Sequence, residues 1–150
     1  MPKKTATKKY YEAIGRRKSA TARVRLYIVG KENEVSIKET KIKKGEIVVN
    51  GRPILDFFPG IVNEKKYLVP AELTNNNNRF AISVQVKGGG INGQLEAMIL
   101  GLARALEMTD KDLRATLKKE GLLTRDSRVK ERRKVGTGGK ARRKKQSPKR

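Results

Sequence analysis

The sequence predicts a single α+β body carrying an extended basic C-terminal tail, and three observations predict it. Residues 20–28 and 80–86 alternate apolar and polar side chains, the period of a half-buried strand. Between Ile91 and Leu106 apolar residues recur every three or four positions, the period of a helix with one buried face. From Arg132 onward, ten Lys or Arg stand among 19 residues that include no acid and only Val135 and Ala141 as apolar side chains. Such a segment cannot bury enough apolar surface to offset the entropy of ordering it. At 150 residues the chain suits one domain with one core.

The elements follow in order. Ala20, Ala22, Val24, Leu26 and Ile28 fall on one face of the first strand. Thr21, Arg23, Arg25 and Tyr27 fall on the other, and Arg16, Arg17 and Lys18 stand at its entrance. Val35 and Ile37 predict a short strand, residues 46–49 another, and residues 31–44 as a whole an extended hairpin. Asn50-Gly51 turns the chain, and Pro53 suits the first turn of a short helix through Ile54, Leu55, Phe57 and Phe58, ended by Pro59-Gly60. Residues 63–73 predict a second short helix, interrupted at Pro70, and Asn75 to Asn78 a loop. In the next strand Phe80, Ile82, Val84 and Val86 face inward; Ser83, Gln85 and Lys87 face outward. Ile91, Leu95, Met98, Ile99, Leu102, Ala103 and Leu106 mark the buried face of the longest helix. A last helix starts at Thr109 or Asp110, with Asp112 placed for a capping box, Leu113 and Leu117 buried, and Gly121 as its stop.

Charge is the strongest guide to function. Lys and Arg number 37 against 15 Asp and Glu, a net charge of +22, and so large a surplus calls for a polyanionic partner. The surplus sits at the two ends. Residues 1–25 hold nine basic side chains and one acid, residues 26–124 fifteen and twelve, and residues 125–150 thirteen and two. The expected organisation is a flexible basic extension over residues 1–9, a globular RNA-binding body over 10–124 and an extended basic tail over 125–150. Stretched out, the last 19 residues reach roughly 60 Å, at ~3.3 Å per residue. A merely solubilising tail is served more simply by mixed charge than by an unbroken cationic run. Within the body, Arg16, Arg17, Lys18, Arg23 and Arg25 place five cations in ten positions with no acid among them. Ser19 and Thr21 add hydroxyls able to hydrogen-bond phosphate oxygens, so this strand reads as an RNA contact rather than a solubilising face.

The composition also excludes functions. There is no cysteine and no histidine. Disulfides and cysteine-based zinc sites are therefore impossible, and the commonest general base and metal ligand is missing. Acids such as Asp110, Asp112 and Glu120 stand beside lysines on expected surfaces, and no pair of carboxylates converges on an apolar pocket. Neither a catalytic site nor a cofactor is expected. No apolar run approaches the ~18 residues that span a bilayer, and the lysine-rich start lacks the apolar core of a secretory signal. A reducing, cytosol-like compartment fits. Gly88, Gly90 and Gly93 satisfy G-x-G-x-x-G between a strand and a helix. A dinucleotide fold needs a parallel strand after that helix and an acid near its end, whereas a second helix and the basic tail follow here. Tight turning and close packing account better for the glycines. Their amides, at a helix N-terminus, could also hold an RNA phosphate.

At these same stretches the chain resembles the family of bacterial-type small-subunit ribosomal proteins numbered nine. The matching blocks are Ala13-Ile14-Gly15-Arg16-Arg17-Lys18 with Ser19-Ala20-Thr21-Ala22-Arg23-Val24, then Val49-Asn50-Gly51-Arg52-Pro53 and Val86-Lys87-Gly88-Gly89-Gly90 with Gly93-Gln94. Leu102-Ala103-Arg104-Ala105-Leu106, Leu122-Leu123-Thr124-Arg125-Asp126, Glu131-Arg132-Arg133-Lys134, Ala141-Arg142-Arg143 and a terminal Lys149-Arg150 follow in order. The resemblance implies a small mixed β-sheet backed by helices, with a left-handed β-α-β crossover. It implies a place in the head of the small ribosomal subunit, in the cytoplasm or an organelle matrix, and no membrane. The implied partners are ribosomal RNA, neighbouring ribosomal proteins and peptidyl-site tRNA.

Ribosomal RNA contact is accordingly expected at Arg16, Arg17, Lys18, Ser19, Thr21, Arg23, Arg25, Lys87, Gly88, Gly89 and Gly90. From the tail it is expected at Arg125, Arg128, Arg132, Arg133, Lys134, Lys140, Arg142, Arg143, Lys144 and Lys145, and tRNA contact at Lys149 and Arg150. Two departures stand out. Gln146, Ser147 and Pro148 replace the aromatic-serine pair usual before the final Lys-Arg, which removes a stacking contact, and residues 31–44 are longer than the usual link. Two rival readings are weaker. The protein of a tRNA-processing ribonucleoprotein carries an Arg-Asn-Arg cluster on a helix that is missing here. A histone-like DNA compactor would bind duplex DNA as well as folded RNA.

Overall fold

The alternation that begins at residue 20 pairs with a preceding strand that carries no such pattern. The structure, a computed structural model, describes residues 9–30, 33–37 and 40–143. Its first strand, β1 (Tyr10–Arg17), buries Ala13, Gly15 and Arg17. Two of these are too small and one too polar to read as a core face, which is why the sequence announces the basic residues here but not the strand. A two-residue turn at Lys18-Ser19 leads into antiparallel β2 (Ala20–Ile28), with Arg17 opposite Ala20. On the other edge of β2 lies antiparallel β7 (Phe80–Lys87), with Thr21 opposite Lys87. Next comes β5 (Ile47–Val49), parallel to β7, and then β6 (Arg52–Pro53), giving the order β1-β2-β7-β5-β6. Two helices, α1 (Ile54–Phe57) and α2 (Ile61–Leu73), connect parallel β5 to β7, so a β-α-β crossover sits in a mixed sheet, as expected.

One face of the sheet carries α3 (Ile91–Thr109), which packs on β1 and β2, with α2 and the short α4 (Leu113–Lys119) beside it. Leu95, Met98, Leu102 and Leu106 of α3 meet Ala22, Val24, Leu26, Val84 and Val86 in the main core. Full burial of side chains of this size contributes roughly 1.5–3 kcal/mol each relative to exposure. The approach is unusually close. A Cβ on Gly15 would lie 1.9 Å from the carbonyl oxygen of Ala97, and one on Gly101 would lie 2.8 Å from Val24 Cγ2. Backbone therefore meets backbone where β1 crosses α3.

The opposite face is half covered. A hairpin of β3 (Glu34–Ile37) and β4 (Thr40–Lys43) sets Val35 and Ile42 against Tyr27, Val48 and Ala81. This is the extended hairpin expected within residues 31–44. It also corrects the face assignment at the end of β2: Tyr27 is 5% exposed and Ile28 52%, the reverse of the simple alternation, because the hairpin covers the face of Tyr27 while Ile28, the last residue of the strand, packs in neither core cluster. Beyond the hairpin the face is open.

Three local expectations change. α2 runs unbroken through buried Pro70; the ring removes the donor for the Lys66 carbonyl, but tertiary packing holds the helix. Ile91, counted in the apolar face of α3, is 60% exposed in its first turn. The capping box at Thr109 does not form: its hydroxyl donates to the Leu106 carbonyl at 2.7 Å and closes α3. Asp110 Oδ1 accepts the Asp112 amide at 3.0 Å and turns the chain into α4. Among the described residues, no helix is long and apolar enough to cross a membrane.

The β1–α3 contact yields a direct test. Gly15→Ala forces a methyl group into the Ala97 carbonyl and should cost about 3 kcal/mol, the upper range of overpacking, in urea denaturation. Gly30→Ala, with nothing within 4 Å of its added carbon, should stay within about 0.5 kcal/mol of wild type.

Candidate nucleic-acid interface

Strand register assembles the exposed cations. Thr21 lies between Arg16 on β1 and Lys87 on β7, and Arg23 lies between Ile14 and Gln85. Thr21, Arg23 and Lys87 line the face away from α3, on the part of the sheet that the hairpin leaves uncovered, and Arg16 lies at the edge of that face, also beside Arg104 and Arg125. Arg16, Arg23 and Lys87 are exposed and Thr21 half-buried. Arg23 Nη2 donates to Gln85 Oε1 at 2.6 Å, which fixes the guanidinium in the plane of the face without neutralising it.

The Lys18-Ser19 turn meets the glycine run at the same end. Gly88 and Gly89 have φ of +71° and +66°, and a Cβ on them would lie 2.7 Å from the Ser19 carbonyl oxygen and 3.0 Å from the Ala20 amide. Close packing onto the turn therefore accounts for both glycines. Gly90 then serves as the N-cap of α3 and leaves its first amides without a side-chain cap. Lys18 itself sits at φ +52°, a region costly for a residue with a Cβ. The apex of the turn thus presents a cation where asparagine or glycine would be easier.

Arg17 stands apart from the other expected contacts. It points to the α3 side and is 8% exposed. Its Nε donates to Glu96 Oε2 at 2.5 Å, Nη1 to the Arg128 carbonyl at 2.8 Å, and Nη2 to Asp126 Oδ2 at 2.9 Å. All three nitrogens are engaged, so Arg17 ties β1 and α3 to the root of the tail instead of facing outward. Nothing in the sequence separates Arg17 from its exposed neighbours, because the inward residues Ala13 and Gly15 give β1 no apolar alternation.

The remaining expected residues divide by partner. Arg25, half-buried, donates to Glu12 Oε2 at 2.5 Å and lies 5.0 Å from the Tyr10 ring centre; the Glu12 hydrogen bond raises its already high pKa. Arg128 pairs with Asp126 at 2.7 Å, and Arg142 pairs with Glu131. Arg125, Arg132, Arg133, Lys134, Lys140 and Arg143 are exposed and make no ion pair among the described residues. Residues 125–143 hold neither helix nor strand, but the path is not straight. The Lys134 amide donates to the Lys140 carbonyl at 3.1 Å, and the Glu131–Arg142 pair brackets that turn. Lys144, Lys145, Lys149 and Arg150, the Gln146–Pro148 departure and residues 1–8 lie outside the described residues.

One basic residue escaped the site reading. Arg104 lies in an otherwise apolar stretch of α3, half-buried, and its Nη1 donates to the Ile14 carbonyl on the free edge of β1 at 2.8 Å. A cation inside Leu102-Ala103-Arg104-Ala105-Leu106 was the available signal.

The family model for ribosomal protein S9/S16 matches residues 15–150. The chain belongs to that family. The small ribosomal subunit protein uS9 of Dehalococcoides mccartyi is 42% identical over 127 residues, covering 85% of this chain and 86% of that protein. The proteins of the same name from two Rickettsia rickettsii strains are 44% identical over 142 residues, covering 95% of this chain and 79% of each relative. As a family member the chain is a structural, non-enzymatic constituent of the small ribosomal subunit and serves translation.

The tail root holds one carboxylate whose pKa is lowered. Asp126 is held well below the usual carboxylate range, first by the Arg128 guanidinium, next by the Arg128 amide, and least by Arg17. A lowered carboxylate stabilises the folded contact above its unfolded pKa, and the contribution is lost as pH falls through the folded value. Carboxyl NMR titration should therefore place Asp126 below ~3.9, the ordinary value, and Arg128→Gln should move it up toward that value.

Proposed function

We propose that the chain docks on small-subunit ribosomal RNA through the open cationic end of its sheet. The tail then continues along phosphates, and its terminal Lys149 and Arg150 touch the backbone of peptidyl-site tRNA. The observation that carries this reading is the convergence of Arg16, Lys18, Thr21, Arg23 and Lys87 at one end of the sheet. No acid stands among them, and the tail root is anchored beside them by Arg17. The chemistry is that of phosphate contact, which sets position and orientation without reading bases. The body supplies a rigid platform recognised by shape. The tail orders as it binds, and counterion release offsets the entropic cost of ordering. With several phosphate contacts, affinity should fall on the order of a thousandfold between 50 and 200 mM salt.

Two substitutions separate the two ends of this proposal. Arg23→Gln with Lys87→Gln should weaken binding to small-subunit ribosomal RNA and lower the slope of log K against log salt by about two, one per lost phosphate contact. Removing residues 148–150 should leave subunit assembly nearly intact, by sucrose-gradient sedimentation, and weaken retention of peptidyl-site tRNA in filter binding. Unchanged tRNA retention would remove the terminal contact from the proposal.

A further inference from the structure

Four acids near the free edge of β1 stand in ion pairs. Glu12 pairs with Arg25 at 2.5 Å, Glu96 with Arg17 at 2.5 Å, and Asp126 with Arg17 and Arg128 at 2.9 and 2.7 Å. Glu107 on α3 pairs with Arg114. Among these pairs opens a cavity of about 460 Å³ lined by Ile14, Arg16, Arg104 and Arg125. The three arginines come from β1, α3 and the first residue of the tail. The side chains of Arg16 and Arg125 make no hydrogen bond or ion pair among the described residues. Arg104 is held in place by its bond to the Ile14 carbonyl, with its other nitrogens left over.

Three guanidiniums stay charged at any accessible pH, and those of Arg16 and Arg125 have no ion-pair partner among the described residues. Their planar donor forks match the oxygens of phosphate better than those of any neutral ligand. We infer that Arg16, Arg104 and Arg125 form one pocket for a single phosphodiester of the RNA backbone. Ile14 gives the adjoining sugar an apolar wall. The inference rests on the RNA-binding reading above and sharpens it. Because one wall is the start of the tail, filling the pocket joins Arg125 to β1 and α3 through the ligand, opposite the Arg17 tie. The tail is thereby aimed along the RNA from its first residue.

Sharing makes a prediction that independent surface contacts do not. In full-length protein, Arg16→Gln and Arg125→Gln, both at exposed positions, should each weaken binding to small-subunit ribosomal RNA roughly tenfold, as loss of a charged hydrogen bond implies. The double variant should lower the slope of log K against log salt by about one in total, since one phosphate is lost. A fall of about two would give each arginine its own phosphate and overturn the shared pocket. An unchanged slope with unchanged affinity would overturn the pocket while leaving the wider interface standing, since wild-type binding would be intact. Loss of RNA binding in the wild type would instead defeat the functional reading itself. A second arm distinguishes the source of the anion. If inorganic phosphate shifts the Nε–Hε NMR signals of all three arginines but RNA affinity ignores the substitutions, the pocket serves a free ion and the RNA assignment fails.

Discussion

The contact on which the rest depends is the backbone approach of α3 to β1 at Gly15 and Gly101. No larger side chain fits between the Gly15 carbon and the Ala97 carbonyl, 1.9 Å from where a Cβ would stand. This closeness brings Glu96, at the start of α3, to Arg17 at the end of β1. It brings Arg104, two turns further on, to the carbonyl of Ile14. A helix standing off by the width of a methyl group would lose both bonds, and with them the seat of the tail. The small inward residues of β1 and the spacing of cations around it are two consequences of one steric condition.

Arg17 converts that packing into direction. Burying a guanidinium is unfavourable unless it is paired and hydrogen-bonded, and here each of its three nitrogens meets an acceptor. Glu96 and Asp126 keep half or a third of their side-chain surface in water, so the tie is worth less than a fully buried network. Its value is geometric. It fixes Asp126 and Arg128 against the body, so that the cationic tail leaves from the end of β1 instead of from an arbitrary point. The same economy shapes the surface charge. Arg25, Arg114, Arg128 and Arg142 pair with Glu12, Glu107, Asp126 and Glu131, and Arg16, Arg23, Lys87 and Arg125 are exposed without an ion pair among the described residues.

Much of this was legible in the sequence, and the failures have physical reasons. The alternation of β2 and β7 and the apolar period of α3 reported their buried faces because each buries large side chains against one partner. β1 was silent because its partner approaches too closely for large side chains. Tyr27 is buried because a hairpin covers one end of a face that local patterning treats as solvent, and Ile28 is exposed because the strand ends there beyond the main core. Charge pattern identified the cationic surface but not its division. Arg16 and Arg17 are neighbours in sequence and lie on opposite faces of a strand, one exposed and one consumed in packing. Arg104 belongs to the cationic end through a helix whose apolar neighbours concealed it.

One end of one sheet, and the path that leaves it, is the proposed RNA face, whereas α2 and the hairpin of β3 and β4 lie outside it. Ultraviolet cross-linking in intact small subunits, with the attached peptides read by mass spectrometry, examines this most directly. Cross-links should concentrate in residues 14–25, 83–92 and 124–143. Cross-links confined to α2 around Lys65 and Lys66, or to residues 33–44, would mean that the cationic end of the sheet is not the face that meets RNA.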